Sequence, residues 1–421
     1  MNNNHQTGHD LEHGVPDVRA NSNGDHPGVD SSQDTPRLKY KPKPQHATLI
    51  ERLHHFTWSW FACTMSTGAL GVVLANTPFR FRGLDVIAKI VFVVDLVLFT
   101  LFCVAITYRF TRRPIVAIRN LHHPKEALFF GSFWVSIALI LNLAQTYGVP
   151  VCGPWLPVAL RVCFWTYSGC ALCVAIFQYT TLFVAERLPA DSAMPAWVFP
   201  VYPFLVIGPL AGVLVKTQPP EHQLSIWVGA VMFQGLGWTV TIFMYGIYVL
   251  RLMSSQLPDP SSRPGMFVSV GPAGYTSAGL VSLGNVAPSL IPDGFLSVNT
   301  MKVGDVIKVI SAMSGIFLLL VAFWFFALSA LAVAAAALSK KEKMEFTLNW
   351  WAFIFPNAGL CLATINVGNV LQSDGIKGVT SALTLLLVIA WLVVAVANIR
   401  AVMKGKILWE GRDEDHGMRL D

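Results

Sequence analysis

From about residue 55 to residue 402 the chain alternates long apolar runs with short polar or basic breaks. Ten runs are long enough to cross hydrocarbon as helices: 55–75, 84–107, 128–147, 156–184, 194–215, 226–250, 263–286, 304–338, 348–370 and 379–402. The eighth exceeds the length of one crossing, which predicts that its C-terminal turns project into water. The runs are of two kinds. Runs 2, 4, 8 and 10 are smooth stretches of Leu, Val, Ile, Phe and Ala. Odd runs carry small residues, hydroxyls and prolines: Met65-Ser66-Thr67-Gly68-Ala69-Leu70-Gly71 in the first, Gly271-Pro272-Ala273-Gly274-Tyr275-Thr276 in the seventh. An aromatic-x-Phe-Pro element occurs twice, as Trp197-Val198-Phe199-Pro200 and Phe353-Ile354-Phe355-Pro356. This alternation predicts a repeated helical hairpin with one helix inside and one facing lipid.

Composition agrees with a polytopic membrane protein. Of 421 residues, 54% are hydrophobic and 13% charged, about half the charge of a typical soluble domain. Residues 1–45, rich in Asn, His, Asp, Gly, Ser and Pro, lack the apolar surface to fold and read as a disordered cytosolic tail. That polar opening predicts no cleaved leader. The ten-helix domain occupies 46–403, and 404–421 is a short charged cytosolic end. With the N-terminus in the cytosol, the inner loops hold Arg109, Arg112, Arg113, Arg119, Lys125, Arg187, Arg251, Arg263, Lys340, Lys341 and Lys343. The outer loops hold only Arg80, Arg82, Lys216, Lys302 and Lys377. This imbalance places both termini in the cytosol by the positive-inside rule.

The ninth run carries the clearest candidate device. Pro356 removes a backbone donor, so a bend is expected there, with Phe355 just before it and small residues after. A bulky ring at a bend suits a wall that closes a pore; it equally suits a proline kink packed in a bundle core. Thr67, Ser269, Tyr275, Thr276, Asn357, Thr364 and Asn366 are uncharged hydrogen-bonding groups at membrane depth that can line a path, or bond locally to the carbonyl four residues back. Arg263, before Pro264-Gly265, stands at a cytosolic mouth where a guanidinium can hold a carboxylate bidentately. Asp85 with Lys89, and Asp305 with Lys308, have helical spacing for self-neutralising pairs. Asp95 and Arg161 have no evident partner. Cys170-Ala171-Leu172-Cys173, inside an apolar helix, reads as packing rather than redox chemistry.

All eleven histidines lie in tails, loops or span edges, which leaves no intramembrane pair for a haem or metal. There is no Walker loop and no Gly-rich dinucleotide turn. The expectation is therefore a transporter or channel, not an enzyme, with no cofactor, no metal and no nucleic-acid partner. A polar lining without an acidic ring, beside basic inner loops, favours an anion.

The chain resembles the fungal malic acid transport proteins of the tellurite-resistance/dicarboxylate transporter family, related to plant slow-type anion channels. The blocks that carry the resemblance include His55-Phe56-Thr57-Trp58-Ser59-Trp60-Phe61, Pro78-Phe79-Arg80-Phe81, Thr217-Gln218-Pro219, Phe233-Gln234-Gly235-Leu236-Gly237, Arg263-Pro264-Gly265-Met266-Phe267 and Trp351-Ala352-Phe353-Ile354-Phe355-Pro356-Asn357. The resemblance implies an all-α integral membrane fold of ten transmembrane helices, arranged as five hairpins around a central pore, in a homotrimer. It implies a gating phenylalanine on the ninth helix, which falls on Phe355. It also implies plasma-membrane transport of malate, succinate and fumarate, as the monoanion or together with a proton. Sulfite efflux, or general anion conduction, is the alternative within the same family.

Overall fold

The computed structural model describes residues 49–112, 114, 124–186, 188–339 and 344–409. The expected 1–45 tail and residues 410–421 of the charged end lie outside the described residues. The described chain is helical, as backbone in a bilayer must be when it has no water to bond to.

Among the described residues, ten α-helices of eight residues or more follow in order. They are α1 (Phe61–Asn76), α2 (Leu84–Arg112), α3 (Pro124–Leu143), α4 (Trp155–Thr181) and α5 (Ile207–Leu214). Then come α6 (Pro220–Ser254), α7 (Val270–Leu290), α8 (Val303–Leu338), α9 (Phe355–Val370) and α10 (Asp374–Met403). Among the described residues, nine helical stretches are long and apolar enough to cross a membrane. The seventh expected span is helical but is not one of them; its Gly, Pro, Ser and Asn lower its hydropathy.

The two kinds of run become two layers. The most apolar stretch of Trp58–Asn76, Glu126–Gly148, Pro195–Thr217 and Leu348–Val370 is 61–89% buried. For Leu84–Arg112, Trp155–Val184, Pro220–Ser254, Val303–Leu338 and Asp374–Met403 the share is only 17–39%. Helix α7 is buried over most of its length. The inner helices touch in a closed order, α1 to α3, α3 to α5, α5 to α7, α7 to α9 and α9 back to α1. Each also packs on the helix that follows it, so five hairpins surround one axis.

Small residues set how tightly this ring closes. A Cβ on Gly274 of α7 would come within 2.7 Å of the Gly359 carbonyl carbon on α9, so these backbones meet directly. Side chains on outer helices tie the ring together. Gln234 of α6 accepts from the Gly208 N–H (3.1 Å) and donates to the Thr276 hydroxyl (3.1 Å), joining α5 to α7. At the ends of α2 and α3, Arg109 donates to Glu126 at 2.6 Å and to the Phe56 carbonyl at 2.7 Å; both charged side chains are fully buried.

Candidate functional site

Four inner segments enter through tight three-residue turns before the α-helix begins: Trp58–Trp60, Pro195–Val201, Pro260–Ser269 and Leu348–Phe353. The bend expected inside one helix at Pro356 is instead a junction between two helix types. Ile354 takes φ −106°, ψ −67°, and α9 starts at Phe355 with Pro356 in its first turn. A proline fits there because an N–H at that position has no intrahelical acceptor. The Phe355 ring is thus fixed at the mouth of α9.

The N-terminal ends of the inner segments surround a cavity of about 650 Å³. Its mouth carries Ser192, Arg251, Asp259, Ser262, Thr347 and Asn349. Its floor is Met65, Phe129, Phe199, Val268, Phe355 and Pro356. An aromatic chain runs across that floor: Phe129 to Phe199 at 5.0 Å, Phe199 to Tyr202 at 5.6 Å, Tyr202 to Phe355 at 5.1 Å and Phe355 to Tyr275 at 4.9 Å. These rings come from α3, the entry to α5, α7 and α9. Phe355 is fully buried in the chain, and the Tyr275 hydroxyl donates to its carbonyl at 3.2 Å. Tyr202 in turn donates to the Val268 carbonyl at 3.2 Å, which holds its ring against Phe355.

Of the residues singled out in the sequence, Phe355 and Pro356 lie in the cavity wall; Thr67, Arg263, Ser269, Tyr275, Thr276, Asn357, Thr364 and Asn366 do not. Tyr275 stacks behind the Phe355 ring. Thr67, Ser269 and Thr364 donate to local carbonyls, of Cys63, Met266 and Leu360. Thr67 also accepts from the Trp391 indole N–H at 3.0 Å. Asn366 donates across to the Ala278 carbonyl at 2.9 Å. Asn357 donates to the Phe353 carbonyl, and its own carbonyl oxygen is buried without a partner among the described residues. Arg263 is buried and donates to the Pro258 carbonyl (3.0 Å) and the Ala332 carbonyl (3.4 Å), so it ties the last turns of α8 to the entry of α7.

The cation in the cavity wall is Arg251, at the end of α6. It is half-buried, and its Nε donates to the Asp191 carbonyl at 3.1 Å. In sequence it counts only as one of the basic residues of the positive-inside pattern; its direction into the cavity is not legible there. The charges within the spans also pair differently from their spacing. Asp85 pairs with Arg80, and Lys89 sits 5.8 Å over the Tyr147 ring. Asp305 and Lys308 form no ion pair among the described residues. Cys170 and Cys173 are exposed free thiols on α4, not packed ones. Asp95 is fully buried against α1, and neither carboxyl oxygen has a hydrogen-bond partner among the described residues. A Cβ on Gly68 would fall 2.7 Å from one of those oxygens, so the glycine makes room for the carboxyl group.

A ring of inner helices thus surrounds a cavity with an aromatic floor. Comparison with known proteins gives it a context. Residues 55–399 match the family described as voltage-dependent anion channel. The chain is 31% identical to a malic acid transport protein of Schizosaccharomyces pombe over 378 residues, covering 90% of this chain and 85% of that protein. A putative malic acid transport protein of the same yeast is 29% identical over 87% of this chain and 84% of its own length. A sulfite efflux pump of Arthroderma benhamiae is more distant, 26% identical over 76% of this chain and 84% of its own length. With a match that covers most of its length and includes all five inner helices, this chain belongs to the voltage-dependent anion channel family.

Proposed function

We propose that the protein carries four-carbon dicarboxylates, malate, succinate and fumarate, across the plasma membrane through the axis of the helix ring, with Phe355 as the gate. The observation that carries this reading is the cavity of about 650 Å³ whose aromatic floor includes Phe355. The malic acid transport proteins among the relatives supply the substrate class. The cavity wall suits a small diacid. Arg251 offers a guanidinium to one carboxylate, while Asn349, Thr347, Ser262 and Ser192 offer neutral donors to the second. Moving the monoanion, or the dianion with a proton, lowers the desolvation cost of passing the aromatic floor. Beyond the ring, the proposed path runs along α7 and α9 past Thr276, Asn357, Thr364 and Asn366, with Val270–Leu290 as a tenth crossing.

In this reading the cavity opens to the cytosol, both termini are cytosolic, and the protein is a homotrimer that acts without a cofactor. Membrane currents under a malate gradient test the reading. With equal pH on both sides, the reversal potential should move toward the malate equilibrium potential. Addition of a pH gradient at fixed total malate should shift it further, because the monoanion carries the same proton and net charge as the dianion moved with one proton; a reversal potential that stays in place would mean that the dianion moves alone. A reversal potential set by the bath cation would refute anion transport.

A further inference from the structure

A second recess lies outside the helix ring, where α10 ends. One stripe of α10, Leu392, Val396, Arg400 and Lys404, repeats every four residues and so lies along one face. Its upper part is apolar and open, with Leu392 52% and Val396 49% exposed. Its lower part is basic. The chain then hooks back: Gly405 and Leu408 take positive φ (61° and 55°), and Ile407 and Leu408 are buried. Arg52 locks the hook by donating to the Val402 and Leu408 carbonyls while its guanidinium sits 5.3 Å from the Trp409 ring centroid. This places Lys406 beside Arg400 and Lys404, with Phe346 closing the opposite side of a groove of about 540 Å³.

Lys406 has a long contact with Glu345, 3.8 Å; Arg400 and Lys404 have no ion pair among the described residues. The groove thus joins an apolar floor at membrane depth to three cations at its end, held by a fixed hook rather than by a free tail.

We propose that this groove binds an anionic phospholipid of the adjoining leaflet, its acyl chain along Leu392 and Val396 and its phosphate headgroup on Arg400, Lys404 and Lys406. An anionic headgroup matches the charge, and an acyl chain matches the floor; a soluble phosphate satisfies only the first. The site is separate from the anion path, but Phe346 lines both recesses, and Ile407, next to Lys406, lines the central cavity. A bound lipid therefore buttresses the cavity wall.

The test is lipid retention by the purified full-length protein, taken from vesicles of phosphatidylcholine with a minor share of phosphatidylserine or a phosphoinositide and read by native mass spectrometry. Wild type should retain the anionic lipid selectively, and that lipid should raise its melting temperature. Arg400→Gln/Lys404→Gln/Lys406→Gln should lose about tenfold to a hundredfold of that selectivity, since each basic group near the surface accounts for about fivefold. The same neutralisation at the other end of the bundle, Arg82→Gln/Lys216→Gln/Lys302→Gln, should leave retention unchanged. Ala397→Trp keeps all three cations but fills the groove, and it should lose retention as well. Equal retention in the wild type and the triple variant would overturn the site. So would undiminished binding in Ala397→Trp, or displacement by inorganic phosphate alone, because either would reduce the groove to a diffuse positive surface.

Discussion

Truncation of Phe355 to alanine separates a gate from an ordinary core residue. In the structure its ring meets Tyr275 at 4.9 Å and Tyr202 at 5.1 Å. For an anion to pass, the ring must leave both partners. Each aromatic contact contributes about 0.5–1.5 kcal/mol beyond its buried area. Breaking two therefore costs about 1–3 kcal/mol, which holds the open state down by about 5-fold to 150-fold. Phe355→Ala has no ring to move, so passive malate leak through the protein should rise by a factor in that range. The same substitution in a plain core costs about 3–5 kcal/mol in stability and opens no path. Electrical recording in bilayers, with protein amount and melting temperature measured in parallel, reads both effects. Normal amounts of folded protein with no added leak would refute the gate.

Five further substitutions test parts of the framework. Gly274→Ala should lower the melting temperature by the equivalent of about 1–3 kcal/mol, because its Cβ meets rigid α9 backbone, not a side chain that can swing away. Glu126→Ala should be far more harmful, about 3–5 kcal/mol, since it strands the buried Arg109 guanidinium; detergent melting curves check both. Arg251→Gln should weaken apparent malate affinity from the cavity side and flatten its salt dependence, whereas Arg263→Gln should show itself as lowered stability, because that guanidinium bonds to backbone. Asp95→Asn, close to isosteric and with no hydrogen bond to lose, should melt no lower than wild type; a clear drop in melting temperature would reveal a partner that the structure does not place there.

Much of the architecture is legible in residue pattern alone. The smooth even runs and the small, hydroxyl-rich odd runs differ because one layer meets lipid and the other meets backbone, and burial divides along that line. The junction at Phe355-Pro356 is also readable, although the proline opens a helix instead of bending one. What pattern does not carry is direction. Thr67 and Thr364 have the depth of pore-lining residues, yet their hydroxyls turn back to the carbonyl four residues earlier. Arg263 and Arg251 both read from sequence as loop cations, yet the structure buries the first and turns the second to the cavity. Pairings between distant residues are likewise hidden. Asp85 has a lysine at helical spacing but pairs with Arg80 before its helix begins, and Arg109 finds Glu126 17 residues further on. Tyr202 follows the first aromatic-x-Phe-Pro element by two residues, and that repeat is the available signal for the ring that meets Phe355.

Parallel influx of labelled malate and labelled sulfite into liposomes containing the purified protein separates a diacid path from a sulfite path. The malate path requires saturable malate influx that succinate and fumarate compete for, absent from protein-free liposomes and raised in its passive component by Phe355→Ala. Sulfite influx without malate influx would refute the diacid path, since the Arg251 guanidinium and the neutral donors proposed to hold two carboxylates would then be serving a smaller anion with none.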